Sequence, residues 1–158
     1  MSRATWIIVA IAVLALDRIT KYWLIDVIDA HGPVIVLAPF FNLVLVWNTG
    51  VSFSMLQLEP DTGRWVLSAI AGVIVIAMVL WLGRSVWLLE RLALGLIVGG
   101  ALGNIVDRLV WGAVADFFDF HAFGYHWPAF NVADSAIVLG VGLMLLDTWM
   151  RRRMRSQE

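Results

Sequence analysis

Two carboxylates, Asp116 in VADF and Asp134 in FNVAD, are the groups in this chain best suited to chemistry. Two aspartates held close together do not both ionise readily, so they share a proton. One can then accept a proton from water while the other donates to a developing oxyanion. Such a pair titrates as a unit, and either member can serve as base or acid. Asp116 and Asp134 flank a single connection, so they meet if it folds back, and neither has an obvious cation beside it. Other ways of activating water have little support in the sequence. The chain has no cysteine, which excludes a thiol nucleophile, disulfides, Cys-ligated zinc and iron–sulfur clusters. His31, His121 and His126 do not form the HExxH arrangement, in which two ligands and a general base share a helix face. Neither a metal nor a cofactor is called for.

The elements that carry these groups belong in a bilayer. Hydrophobic residues make up 61% of the 158 positions, charged residues only 15%, and the mean hydropathy is +0.87. A soluble domain has about 25% charged residues. The expected fold class is therefore an all-α membrane protein with four transmembrane helices and a small extracytoplasmic β-rich subdomain. Residues 1–158 form a single integral membrane domain, with spans at about 5–25, 65–82, 88–109 and 133–150. The first could be a secretory signal cut after Ala15, but the apolar pattern resumes through Tyr22, Trp23, Leu24 and Ile25, so a full span is more economical.

Basic residues set the orientation, because Lys and Arg near membrane ends favour the cytoplasm. Arg3, Arg84, Arg91 and the tail RRRMR fall on one side, and no Lys or Arg lies between Lys21 and Arg64 or between Arg108 and Arg151. Both termini should face the cytoplasm, and the connections at about 26–63 and 110–132 should lie outside. Within the first, VIVLAPFFNLVLVWN reads as one or two strands punctuated by Gly32, Pro33 and Pro39, and NTGVSF reads as a turn leaving them. An apolar sheet in that position suggests a surface resting on membrane lipid. The scattered basic residues give no nucleic-acid surface.

The polar residues of four segments converge on the outer side. Asp17 and Lys21 are four apart on one helix face, as an ion pair that eases burial or as a contact to substrate. Asn104, Asp107 and Arg108 fall near the outer end of the third span, preceded by Gly95, Gly99, Gly100 and Gly103, which suit close helix packing. Asn131 can cap the fourth helix, leaving Asp134 in its first turn, where the helix dipole alone would favour a carboxylate. Asp147 should pair with Arg151 four residues on. Asp26, Asp29, Glu59 and Asp61 read as solvated loop residues, and Asp119 as solvated or structural. Trp111, Phe117, Phe118, Phe120, Trp127 and Phe130 suit an interfacial aromatic belt, with the VADFFDF aromatics facing lipid.

Five ordered motifs, DRITK from Asp17, NTGVSF from Asn48, GGALGNIVDR from Gly99, VADF from Val114 and FNVADSAI from Phe130, together resemble the lipoprotein signal peptidase, or signal peptidase II, family. The resemblance covers nearly the whole chain. It implies an aspartic endopeptidase of the bacterial inner membrane that removes the signal peptide from diacylglyceryl-modified prolipoproteins, cutting before the lipidated cysteine. It assigns Asp116 and Asp134 as catalytic, with Asp17, Lys21, Asn48, Gly50, Asn104, Asp107, Arg108, Asn131 and Ala133 supporting. A monomer is expected, since one chain supplies every part of the site. The rival readings are a small proton-coupled transporter, which would need polar residues through the membrane, and a noncatalytic assembly subunit packed through the glycine-rich third span.

Overall fold

The structure, a computed structural model, describes residues 4–50, 60–82 and 87–155. Expectations involving Arg3, residues 51–53 of NTGVSF, Glu59 and Arg84 lie outside the described residues. Four long helices, α1 (Thr5–His31), α2 (Pro60–Leu82), α3 (Leu88–Trp111) and α4 (Val132–Arg155), make up most of the chain. A small antiparallel sheet joins them, formed by β1 (Val34–Ala38), β2 (Phe41–Asn48), β3 (Val114–Ala122) and β4 (Tyr125–His126) in that spatial order.

Three of the helices carry stretches long and apolar enough to cross a membrane: Thr62–Trp81, Leu88–Trp111 and Val132–Met154. The 27-residue α1 is long enough too, but Asp17, Arg18 and Lys21 interrupt its apolar run. Large apolar side chains such as Ile8, Ile11, Val73, Ile76, Leu80, Val138 and Leu145 point outward. A surface of that kind is stable against lipid rather than water, and the chain is a membrane protein.

Helix α3 is the axis of the bundle. Of its apolar span 61% is buried, against 11% for α2 and 22% for α4. The glycines explain how its neighbours come so close. A Cβ on Gly95 would lie 2.8 Å from the Trp6 carbonyl oxygen of α1, and one on Gly99 2.7 Å from that of Ala10. On the other face, a Cβ on Gly100 would collide with the Ala133 carbonyl oxygen of α4. The close-packing role expected for this glycine track is what the structure shows.

The sheet caps one end of the bundle, packing on the last turns of α1 through Leu24, Ile28, Leu43 and Phe117. Strands β1 and β2 fall within the stretch read as one or two strands from the sequence. Strand β3 does not: VADFFDF was expected to run along the membrane with its aromatics toward lipid, yet it pairs antiparallel with β2 from Phe41↔Phe120 to Asn48↔Val114, and Phe117 is fully buried. The physical reason is the open edge of β2, whose backbone groups need partners. Helix α1 also outruns its expected end, so Asp26 and Asp29 are exposed on its final turns rather than in a loop, and Asp61 falls in the first turn of α2.

Candidate active site

Asp116 reaches the site because α3 stops sharply. Gly112 takes the left-handed conformation at φ +79° and donates its N–H to the Arg108 carbonyl at 3.1 Å, which turns the chain into β3. The start of α4 is then tied back to β3. The N–H groups of Phe117 and Phe118 donate to the Phe130 carbonyl at 3.1 and 2.9 Å, and that of Phe130 donates to the Phe118 carbonyl at 3.3 Å. This folds the connection so that Asp116 and Asn131 touch.

Asn131 caps α4 as the sequence suggests, in a reciprocal arrangement. Its Oδ1 accepts the Asp134 N–H at 2.9 Å, while Asp134 Oδ2 accepts the Asn131 N–H at 3.2 Å. The same side chain donates through Nδ2 to Asp116 Oδ1 at 2.7 Å. Asn131 therefore reaches both carboxylates, Asp116 through its side-chain amide and Asp134 through its backbone N–H. Asn48 Nδ2 donates to Asp116 Oδ2 at 3.0 Å, and Asn104 Nδ2 donates to Asp134 Oδ1 at 2.8 Å. Gly50 closes the rim: its N–H donates to Asn48 Oδ1 at 3.1 Å and its carbonyl accepts from Arg108 Nη2 at 3.3 Å.

The two carboxylates differ in surroundings. Asp116 is 2% exposed, whereas Asp134 is half-buried and lines open space. Burial pushes the Asp116 carboxyl up to about 7, and the neighbouring Asp134 charge adds to the rise. Hydrogen bonds from Asn48 and Asn131 and the more distant Lys21 charge pull the other way without prevailing. Asp116 thus keeps its proton into the neutral range, as a general acid working on water and a carbonyl requires.

Beneath this pair lies a buried set of charges. Lys21 Nζ contacts Asp17 Oδ2 at 2.9 Å and Asp107 Oδ2 at 2.6 Å, and donates to Asn104 Oδ1 at 3.3 Å. Asp17, Lys21 and Asp107 are fully buried. The ion pair expected between Asp17 and Lys21 is present, and Ala133, also fully buried, donates its N–H to Asp17 Oδ1 at 3.1 Å. All eleven positions singled out in the sequence fall in one connected network. Arg18, which the sequence reading passed over within DRITK, joins it by pairing with Asp17 at 3.3 Å and with Asp107, and it stacks over Trp111 at 5.1 Å. Its adjacency to Asp17 was the available signal.

Two cavities meet at Asp134 and Ile137. One, about 300 Å³, has a polar end at Asn48, Gly50, Asn104, Arg108 and Asp134 and continues along Leu67, Ile70, Ile74 and Ile97. The other, about 660 Å³, lies along Trp127, Pro128, Phe130, Val138 and Leu139. Arg108 Nε is buried and has no hydrogen-bond partner among the described residues.

Other charges stand apart. Asp119 is buried, not solvated: Asn42 Nδ2 lies 3.0 Å from it and His126 Nδ1 2.8 Å. Burial raises its carboxyl, but the bonds from His126 and Asn42 outweigh that and hold it below its ordinary value. At the far end of the bundle Arg151 pairs with Asp147 at 2.5 Å, as expected, and also with Glu90 at 3.1 Å, which accepts from Trp81 Nε1 at 2.9 Å. Among the described residues no group of three or more His, Asp or Glu is arranged to hold a metal ion.

A family model described as signal peptidase (SPase) II matches residues 9–150. A lipoprotein signal peptidase of Methylobacterium sp. is 48% identical over 147 residues, covering 91% of this chain and 88% of the relative. One of Beijerinckia indica is 46% identical over 138 residues, covering 86% and 82%, and one of Paraburkholderia phymatum is 44% identical over 154 residues, covering 96% and 92%. A bacterial membrane enzyme solved by the in meso method at 2.3 Å resolution superposes with a TM-score of 0.78 at 32% identity, over 93% of this chain and 88% of the other.

Proposed function

The chain belongs to the signal peptidase II family, aspartic peptidases that remove signal peptides from prolipoproteins, and we propose that Asp116 and Asp134 are the groups that perform its cleavage. The observation that carries this reading is Asn131, which donates to Asp116 at 2.7 Å while its Oδ1 receives the N–H of Asp134. A water held between the two carboxylates gives its proton to one as it attacks the scissile carbonyl. The other, carrying the shared proton, donates to the carbonyl oxygen. Burial favours Asp116 as the proton holder. Arg108, whose Nε has no hydrogen-bond partner among the described residues, and Asn48 line the polar end of the groove where a substrate backbone would lie.

The cavities support a substrate that stays in the bilayer. The groove along Leu67, Ile70 and Ile74 suits an apolar signal segment with its cleavable bond at the polar end, and the larger cavity beside Val138 and Leu139 suits the diacylglyceryl chains on the cysteine after that bond. In this reading all four helices span the inner membrane of the bacterium, both termini are cytoplasmic, the sheet rests on lipid at the outer face, and the protein acts as a monomer. Buried residues of α3 between Glu90 and Asn104 are all Ala, Leu, Ile, Val or Gly, so that helix offers a transporter no polar path.

The test is incubation of purified protein with a diacylglyceryl-modified precursor peptide and with its unlipidated twin, read by mass spectrometry. Cleavage of the lipidated peptide alone, just before the modified cysteine, is expected, as is its loss in both Asp116→Asn and Asp134→Asn. Turnover near the parent level in either variant would refute the assignment of the dyad.

A further inference from the structure

The tripeptide Val-Ala-Asp occurs twice, at residues 114–116 and 132–134, and each copy ends in one of the two proposed catalytic aspartates. In each copy the backbone N–H of the alanine donates to a buried carboxylate from another helix. Ala133 donates to Asp17 Oδ1 at 3.1 Å, and Ala115 donates to Asp107 Oδ2 at 3.3 Å. Both alanines are fully buried. The Ala133 N–H lies in the first turn of α4, where helix donors lack partners within the helix, so Asp17 satisfies a group that would otherwise be orphaned.

These two carboxylates are joined by one cation. Lys21 Nζ lies 2.9 Å from Asp17 and 2.6 Å from Asp107, and Arg18 pairs with both from the rim. Taking three charges wholly out of water is expensive, and well-packed apolar side chains would hold α1 to α3 at least as well. What apolar side chains would lack is an acceptor for each alanine N–H at a set distance from the other. Resting on the assignment of Asp116 and Asp134 above, we propose that Lys21 is a positioning residue for the reaction: by tying Asp17 to Asp107 it fixes the separation of the two Val-Ala-Asp segments, with Arg18 closing the tie from outside. Gly103 makes room for it, since a Cβ there would lie 2.6 Å from Asp17 Oδ2 and 3.3 Å from the Ala133 side chain.

The experiment compares Lys21→Met, Arg18→Gln and Gly103→Ala in the full-length protein, with Asp116→Asn and Asp134→Asn beside them. Folded protein is quantified by monodispersity and thermal unfolding, so that kcat is expressed per folded molecule. A displacement of reacting groups on the order of 1 Å can lower turnover ~100-fold. The expectation is a kcat loss of that order in Lys21→Met and of ~10-fold in Arg18→Gln and Gly103→Ala. KM should stay within about threefold, because Arg108 and the apolar length of the groove along Leu67, Ile70 and Ile74 are untouched. Gly103→Ala also changes no charge. The charged groups facing Asp116 are Asp134 from α4, Lys21 from α1 and Arg108 from α3. In Gly103→Ala, moving the carboxylates apart should therefore shift the alkaline limb of kcat to lower pH, a readout that loss of packing alone would not move; in Lys21→Met the lost cation pushes Asp116 the other way, so that variant is read by kcat alone. Should Lys21→Met fail to fold, the other two variants decide. Folded Arg18→Gln and Gly103→Ala with the parent kcat and pH profile overturn the tie. If the clamp variants match the parent while both aspartate variants are dead, the tie fails and the dyad stands; active aspartate variants sink the dyad itself.

Discussion

Asp116→Asn should give a protein that cannot turn over and yet loses less stability than the parent as pH rises. The parent carboxyl is 2% exposed, and burial with the adjacent Asp134 charge raises it from its ordinary 3.8 to about 7. A raised carboxyl means that the native state holds the proton more tightly than the unfolded chain does. Its contribution is fully present below pH 3.8 and is lost as pH climbs through about 7. At about 1.4 kcal/mol per pH unit, the rise corresponds to about 4 kcal/mol of stability that the parent gives up across that window. Asparagine never ionises, so the variant lacks this dependence. An opposing effect applies at every pH: Asn48 and Asn131 both donate to Asp116, and one of them would meet an amide nitrogen instead of an oxygen, a loss of about 1 kcal/mol. The assay is thermal unfolding of parent and variant in one detergent from pH 4 to 8. The curves should converge or cross near pH 5 and separate by several degrees in the variant's favour at pH 8, at about 2–4 °C per kcal/mol for a chain of this length. Parallel curves would refute the reasoning about burial. In the parent, kcat should decline above about pH 7 as the shared proton leaves.

Asn131→Ala removes the side-chain cap of α4 and a donor to the Asp116 carboxylate; it should cost roughly 0.5–2 kcal/mol in unfolding experiments and lower kcat at least ~10-fold. Gly100→Ala drives a methyl group into the Ala133 carbonyl and Ile137, so a lower unfolding temperature, on the order of 1–3 kcal/mol, should accompany reduced turnover. Arg151→Met takes the guanidinium away from the Asp147 and Glu90 carboxylates at the opposite end of the bundle, Glu90 keeping its bond from Trp81; stability should drop by roughly 1–3 kcal/mol while kcat per folded molecule stays at the parent value. Asp119→Asn weakens the contacts to His126 and Asn42, neither of which bonds to Asp116 or Asp134, and peptide cleavage should remain within about threefold of the parent.

The positions of chemical interest were legible because a membrane chain cannot hide charge cheaply. In a run such as GNIVDRLVWGAVADF, each Asp or Arg stands out against its apolar neighbours and asks for a partner. Helix periodicity then placed Asn104, Asp107 and Arg108 together, and the cap at Asn131 followed from its position before an apolar run. What could not be read were the partnerships across elements. Nothing local marks Phe117 as buried, since only pairing of β3 with β2 turns its ring onto Leu24 and Ile28. The choice between a solvated and a structural Asp119 stayed open for the same reason: its partners are Asn42, 77 positions away in sequence, and His126 beyond a hairpin. Glu90 joined Asp147 and Arg151 only through the packing of α3 on α4, which no four-residue spacing records.

The glycine track and the charge network are one device rather than two. Gly95, Gly99 and Gly103 recur every four residues on α3 and admit the backbone of α1 to within van der Waals contact, first at Trp6, then at Ala10, and finally at the Asp17 carboxylate. A larger residue at any of them would move α1 outward and draw Asp17 away from the Ala133 N–H, which lies on a third helix. The Gly100 face does the same for α4. Hydrogen bonds tolerate only a few tenths of an ångström before they weaken, so the polar contacts at this end of the bundle depend on apolar contacts two and three turns further along it. In water the hydrophobic effect would press helices together over almost any side chains; in lipid that drive is missing, and close approach rests on small residues and on interhelical polar contacts. Under the proposed role of Asp116 and Asp134, a helix bundle that must hold two carboxylates at a set separation recruits both. The glycines bring the helices into range, and the Asp17–Lys21–Asp107 set fixes the distance that remains.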